Sequence, residues 1–146
     1  MLLQNTLNNF FYSMNINELQ LMNEKFKSLN ITYNSLLYLN IIAYTKNCTI
    51  TFLAQSLHIS KPAVTLKINE LVNQGFVVKE QSDEDKRFFY LKLNEEITDI
   101  YKEYDKALYK AIEAVNINYS KQELETFCNI MSDIGKIYIE EIGNEK

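Results

Sequence analysis

The sequence is short of the residues that break helices. It holds one proline, Pro62, and three glycines, Gly75, Gly135 and Gly143, in 146 residues. So few breakers leave little room for a turn-rich architecture and favour long helices. Cysteine is equally scarce. Cys48 and Cys128 stand alone and cannot form a disulfide framework. Long apolar runs are missing too. The longest, such as Ile41-Ile42-Ala43-Tyr44, span four residues, whereas a membrane helix needs about 20. Residues 1–15 have no Lys or Arg and are interrupted by Gln4, Asn5, Asn8 and Asn9. A secretory leader wants a basic start and a clean apolar core, so the expectation is a cytoplasmic protein with no membrane partner. The one histidine, His58, has no Cys, Asp or Glu cluster around it in sequence. It is read as a surface or capping residue, not a metal ligand. No phosphate-binding glycine loop, dinucleotide fingerprint, zinc spacing or Ser/His/Asp set is present. The expectation is a non-enzyme without a cofactor.

Apolar residues make up 47% and charged residues 23%, a balance that excludes disorder and fits one globular domain. The net charge is −4, which argues against a chain that is basic throughout. Its distribution is uneven. Residues 50–93 hold six basic and five acidic side chains, while residues 94–146 hold six Lys against twelve acids. A middle segment can still meet nucleic acid, because fields act locally within a Debye length of about 8 Å. Arginine occurs once, at Arg87, against 14 Lys. A lone Arg in such a background points to a site where Lys would not serve.

Apolar periodicity gives the elements. Leu3, Leu7, Phe10, Phe11 and Met14, then Leu19, Met22 and Phe26, predict an amphipathic helix over 2–28, kinked near Asn15-Ile16-Asn17. Thr32 is placed to cap a helix running to about Lys46, and Thr51 one over 52–57. Ser60 is placed to cap a fourth helix, with Pro62 in its first turn and Gly75 at its end. The period then changes. Phe76–Lys79 and Phe88–Leu93 read as strands, with a charged tip from Gln81 to Arg87 between them. Asn94 followed by Glu95 and Glu96 suits a helix start, and that helix is expected to run to about Val115. Ser120-Lys121-Gln122-Glu123 matches a capping box opening the last helix, whose apolar face includes Leu124, Phe127, Cys128, Met131, Ile134 and Tyr138. Cys128 is therefore expected in the core and Cys48 is read as a packing residue.

Function concentrates in the middle. Two short helices joined by His58-Ile59-Ser60 make a helix-turn-helix, and a hairpin follows directly. On the second helix Val64, Ile68, Leu71 and Val72 fall on one stripe. Thr65, Leu66, Asn69 and Glu70 fall opposite, with Lys61 in the first turn and Lys67 on the flank. A major groove admits such a helix, and its N-terminal residues reach base edges. The fold class is mainly α with a small β-hairpin wing, a winged helix-turn-helix. Residues 2–14 and 120–142 also carry apolar stripes that one small domain hardly covers, which predicts a homodimer.

Ser60-Lys61-Pro62-Ala63-Val64-Thr65, then Leu71, Gly75-Phe76-Val77, Asp85-Lys86-Arg87 and Leu91-Lys92-Leu93 resemble the MarR family of winged-helix regulators. The resemblance implies one domain over 1–146: dimerisation helices at 1–30 and 116–146, a winged helix-turn-helix at 31–94 and a linking helix at 95–115. It implies double-stranded DNA and a second copy of the chain as partners, and a repressor released by a small molecule or stress signal. By position, Ser60, Lys61, Ala63, Thr65, Leu66 and Lys67 would face the major groove or its phosphates. Lys86 would contact a phosphate, and Arg87 would enter the minor groove from the wing. Asp85 would hold Arg87 extended. Leu66 and Glu70 stand where the family often has basic or polar residues, and Asn94 replaces its usual Thr. Phe11, Tyr12, Tyr33, Tyr38, Tyr44 and Tyr104 fall on helices that bracket the family's effector cleft, which suits a small aromatic or phenolic effector. At helical spacing such aromatics are more often core. The alternative from another class is a winged-helix protein–protein module that has lost DNA binding, motivated by the acidic total, Leu66 and Glu70.

Overall fold

A computed structural model describes residues 1–144, apart from the side chains of Met22 and Asn144. The last two residues of the 116–146 segment lie outside the described residues. The elements run α1 (Leu2–Leu21), α2 (Tyr33–Tyr44), α3 (Ile50–Leu57), α4 (Lys61–Asn73), β1 (Val77–Gln81), β2 (Phe89–Leu93), α5 (Glu95–Asn118) and α6 (Lys121–Asn144). The mainly helical class with a two-stranded wing is thus observed. None of the described helices is long and apolar enough to cross a membrane.

Two compact units divide the chain after Tyr101. The first holds the core. Phe26, Leu36, Leu39, Leu53, Val64, Ile68, Leu71, Val77 and Ile97 are fully buried. Each such side chain contributes about 1.5–3 kcal/mol on burial. The antiparallel hairpin pairs Val77 with Leu93 and Gln81 with Phe89, so only its base reaches the core, through Val77 and Leu91. Phe76 O accepts from Asn94 N at 2.9 Å and closes that base. Cys48 O accepts from Leu91 N at 2.8 Å, which draws the turn before α3 onto β2. In the second unit, from Lys102 onward, none of the described side chains is buried.

Several boundaries differ from expectation. α1 runs unbroken through Asn15–Asn17, with those side chains exposed or half-buried. The irregular winding comes later, as a π turn over Met22–Phe26 and a 3₁₀ turn over Lys27–Leu29, ending at Asn30 with φ +54°. It brings Phe26 into the core and partly buries Leu29. Thr49, not Thr51, caps α3, its hydroxyl accepting from Phe52 N at 3.1 Å. α2 ends at Tyr44, and α5 continues past Val115 to Asn118. Gln81 belongs to β1 and not to the wing tip. The other caps follow the sequence. Thr32 accepts from Ser35 N, Asn94 Oδ1 from Ile97 N at 2.8 Å, and Ser120 and Glu123 bond reciprocally. The Ser120 bonds hold the Glu123 carboxyl below its ordinary range.

Candidate nucleic-acid interface

α3 and α4 are joined where His58 takes a left-handed conformation, φ +52°, and its N–H bonds Ala54 O and Gln55 O. His58 therefore does cap, but through its backbone. Ser60 then turns the chain into α4, its hydroxyl accepting from Ala63 N at 3.4 Å, while Pro62 sits where no intrahelical donor is needed. At the far end Gly75 adopts φ +79°. Gly75 N bonds Val72 O, and Phe76 N bonds Leu71 O, both at 2.9 Å. This Schellman closure needs a left-handed residue and swings the chain straight into β1.

The helix presents the face its sequence pattern implies. Val64, Ile68 and Leu71 are buried and Val72 half-buried. Lys61 and Ala63 are exposed, and Leu66 is 74% exposed, so it packs against neither wing nor neighbouring helix. Thr65 is half-buried, and its hydroxyl donates to Lys61 O at 2.8 Å, leaving its lone pairs and methyl for other partners. Lys67 differs from its neighbours. Its side chain is 13% exposed and its Nζ bonds Glu70 Oε1 at 2.8 Å. The i, i+3 spacing of the two residues carried that signal.

The wing tip is held by its own backbone. Ser82 N donates to Phe88 O at 2.9 Å, and Phe88 N to Asp85 O at 3.0 Å. Gln81 Nε2 donates to Lys86 O at 2.7 Å. Ser82 is buried, while Lys86 is exposed. Arg87 leaves the tip with its side chain 86% exposed, and the Asp85 carboxylate grips it by two edges. Nη2 bonds Oδ2 at 2.8 Å and Nε bonds Oδ1 at 3.1 Å, while Arg87 N also donates to Oδ1 at 3.0 Å. The Arg87 side-chain bond, then its backbone bond, hold the Asp85 carboxyl below its ordinary range. Only a guanidinium matches a carboxylate in this two-edged way.

Two sets of bonds had no sequence signal strong enough to single them out. Lys79 Nζ donates to Asn69 Oδ1 at 2.8 Å, linking the wing to α4. Tyr101 OH donates to Asn40 Oδ1, and Asn40 Nδ2 donates to Glu18 Oε1 at 2.8 Å, so a polar chain ties α5, α2 and α1 within the first unit. Burial, then Tyr44 and Glu18, push the Tyr101 phenol upward. An Asn between Leu39 and Ile41 in an apolar run was the one hint.

The cysteines part company. Cys48 is buried, and burial pushes its thiol up to about 11. Cys128 is exposed on α6 and not in the core, where it was expected. Of the aromatics assigned to core or cleft, Tyr38 is buried. Phe11, Tyr12, Tyr33, Tyr44 and Tyr104 are all exposed to some degree, so the core reading fails for those five in a single chain. Among the described residues no group of three His, Cys, Asp or Glu could hold a metal.

Residues 31–88 match the MarR family model. No curated protein matches the sequence. Among solved structures, the chain is similar to Staphylococcus aureus MarR in complex with salicylate and kanamycin, with 26% identity over 97% of this chain and 95% of that one, at a TM-score of 0.58. It is similar in fold to Streptococcus pneumoniae FabT in complex with DNA, with 18% identity, 96% of each chain covered and a TM-score of 0.67. It is also similar in fold to a MarR protein from Peptoclostridium difficile, with 22% identity over 97% and 92% of the two chains and a TM-score of 0.56.

Proposed function

We propose that this chain, whose residues 31–88 match the MarR family model, is a sequence-specific, DNA-binding transcriptional regulator and not an enzyme. The observation that carries this reading is the pairing of two surfaces. One is α4, with its apolar stripe buried and Lys61, Ala63 and Leu66 turned outward; the other is a hydrogen-bonded wing tip from which the single arginine projects. In this reading Ser60, Lys61, Ala63, Thr65, Leu66 and Lys67 meet the major groove or its phosphates. Lys86 meets a phosphate, and Arg87 enters the minor groove with Asp85 as its support.

The finer reading is a repressor that binds as a homodimer to an A/T-rich palindrome. Leu66 cannot hydrogen-bond guanine, but it can pack on the C5-methyl of thymine. Arg87 favours narrow A/T tracts, where the negative potential is enhanced. Two copies related by two-fold symmetry imply half-sites about 10 bp apart. A small aromatic or phenolic effector is supported by the salicylate bound to the 26%-identical S. aureus MarR.

Gel shifts on the DNA upstream of the protein's own coding sequence test the reading. The chain should retard this DNA at low salt, and Arg87→Glu should abolish the shift. Arg87→Ala should weaken it by about 1–3 kcal/mol per lost contact, so at least roughly thirtyfold for the two subunits of a dimer. No retardation at any low salt would favour the protein–protein module instead.

A further inference from the structure

When a helix sits in the major groove and a hairpin in the neighbouring minor groove, the sugar-phosphate strand dividing those grooves must cross the seam between them. Here the seam is the junction of α4 with β1. Two exposed side chains meet across it, with Lys79 Nζ donating to Asn69 Oδ1 at 2.8 Å. That bond sets the amide. With Oδ1 turned to the ammonium, Nδ2 and its two donors point away from it.

The charges nearby are unequally compensated. Lys67 is bound by Glu70, Lys92 by Glu80 and Arg87 by Asp85. Lys79 differs from those three, because its bond goes to a neutral amide oxygen. It keeps its full charge and the rest of its three N–H donors. Glu70 and Glu80, the acids closest in sequence, are each engaged by another lysine. The seam thus gathers a lysine bound to no carboxylate among the described residues and an oriented set of N–H donors.

We propose that Asn69 and Lys79 form a seat for one backbone phosphate of duplex DNA at the seam between recognition helix and wing. The proposal rests on the DNA-binding reading above and adds a contact to it. Phosphate contacts fix the depth and register of a protein on the duplex but carry no sequence information. Lys79 and Asn69 would set how far α4 enters the major groove while Arg87 holds the adjacent minor groove.

The test uses the full chain and the duplex it enriches from a random pool. Lys79→Met should lower the slope of log affinity against log salt by about 0.9 per subunit, and Lys79→Arg should keep it. Asn69→Ala should weaken binding evenly across sequences, and the enriched consensus should stay the same in all three variants. Replacing one symmetric pair of phosphates by neutral methylphosphonates should weaken the parent and leave Lys79→Met unaffected. Both side chains are exposed, so melting temperatures should hardly move and an unfolded variant is not the expected explanation. An unchanged salt slope in Lys79→Met, or a consensus altered at one base pair, overturns the phosphate seat alone. A parent chain that enriches no duplex overturns the seat together with the regulator reading.

Discussion

Asp85 and Arg87 stand two residues apart, and their geometry follows from the turn between them. Phe88 N returning to Asp85 O folds the tip so that carboxylate and guanidinium lie edge to edge. An ion pair this exposed adds little to stability. Its consequence is orientation: a long side chain is held along one direction before any partner arrives. This pair was expected from the family resemblance of Asp85-Lys86-Arg87, and it needs only local geometry to form. The Lys79–Asn69 bond was not legible in the sequence, because it spans two elements whose relative placement no spacing rule gives. Cys48 shows the same limit. Its type and position suggest packing, but the degree of burial depends on β2, more than 40 residues on, closing over its turn through Leu91. With the thiol pushed up to about 11 by burial, the thiolate is scarce below that pH and reactivity should rise only in strong alkali. Alkylation mapped by mass spectrometry at pH 8 should leave Cys48 unmodified until the chain is unfolded. Rapid labelling of native Cys48 at pH 8 would contradict the packing role.

Helix starts were readable wherever one polar residue stood out for the cap. Ser60 and Asn94 each stand alone before an apolar period, Ser120 is marked out from Asn118 by Glu123 three residues on, and each caps its helix. Before α3 Thr51 was expected and Thr49 is found; apolar periodicity cannot separate positions two residues apart. The choice is made by tertiary structure. Asn47 takes a left-handed φ of +56°, Cys48 O pairs with Leu91, and together they fix Thr49 at the first turn. Thr49→Ala should therefore cost about 1 kcal/mol in urea unfolding, while Thr51→Ala should stay within about 0.5 kcal/mol of the parent. Equal losses would return the cap to Thr51. The first helix fails differently. Asn15 and Asn17 looked like a break, yet a helix tolerates asparagine where the side chain meets water. The winding changes instead over Met22–Leu29, where Phe26 enters the core. The pull of a buried aromatic on a helix end has no local sequence signature.

At the scale of the whole chain, apolar surface is unevenly disposed. The first unit has a closed core, yet α1 has no buried residue and exposes Phe10, Phe11, Tyr12 and Met14. The second unit exposes Leu108, Ile112, Phe127, Ile130, Ile137 and Ile142 among others. Unpartnered apolar faces of this extent mark association surfaces. We therefore expect an obligate homodimer built on residues 2–14 and 120–142, with an interface above about 2,000 Å². Sedimentation at micromolar protein should give a dimer, and a stable, folded monomer would contradict it. This explains why the apolar stripes were legible but their burial was not. Periodicity shows that a face is apolar, not what covers it, and Cys128, expected in the core, is exposed.

If the expected dimer forms, its two α4 helices and two Arg87 wings require a symmetric target site. Enrichment of duplexes from a random pool by the full-length protein tests this most directly. The account predicts an A/T-rich palindrome with half-sites about one helical turn apart, with thymine favoured at one symmetric pair of positions and that preference relaxed in Leu66→Ala. A G/C-rich or asymmetric consensus, or no enrichment at low salt, would contradict it.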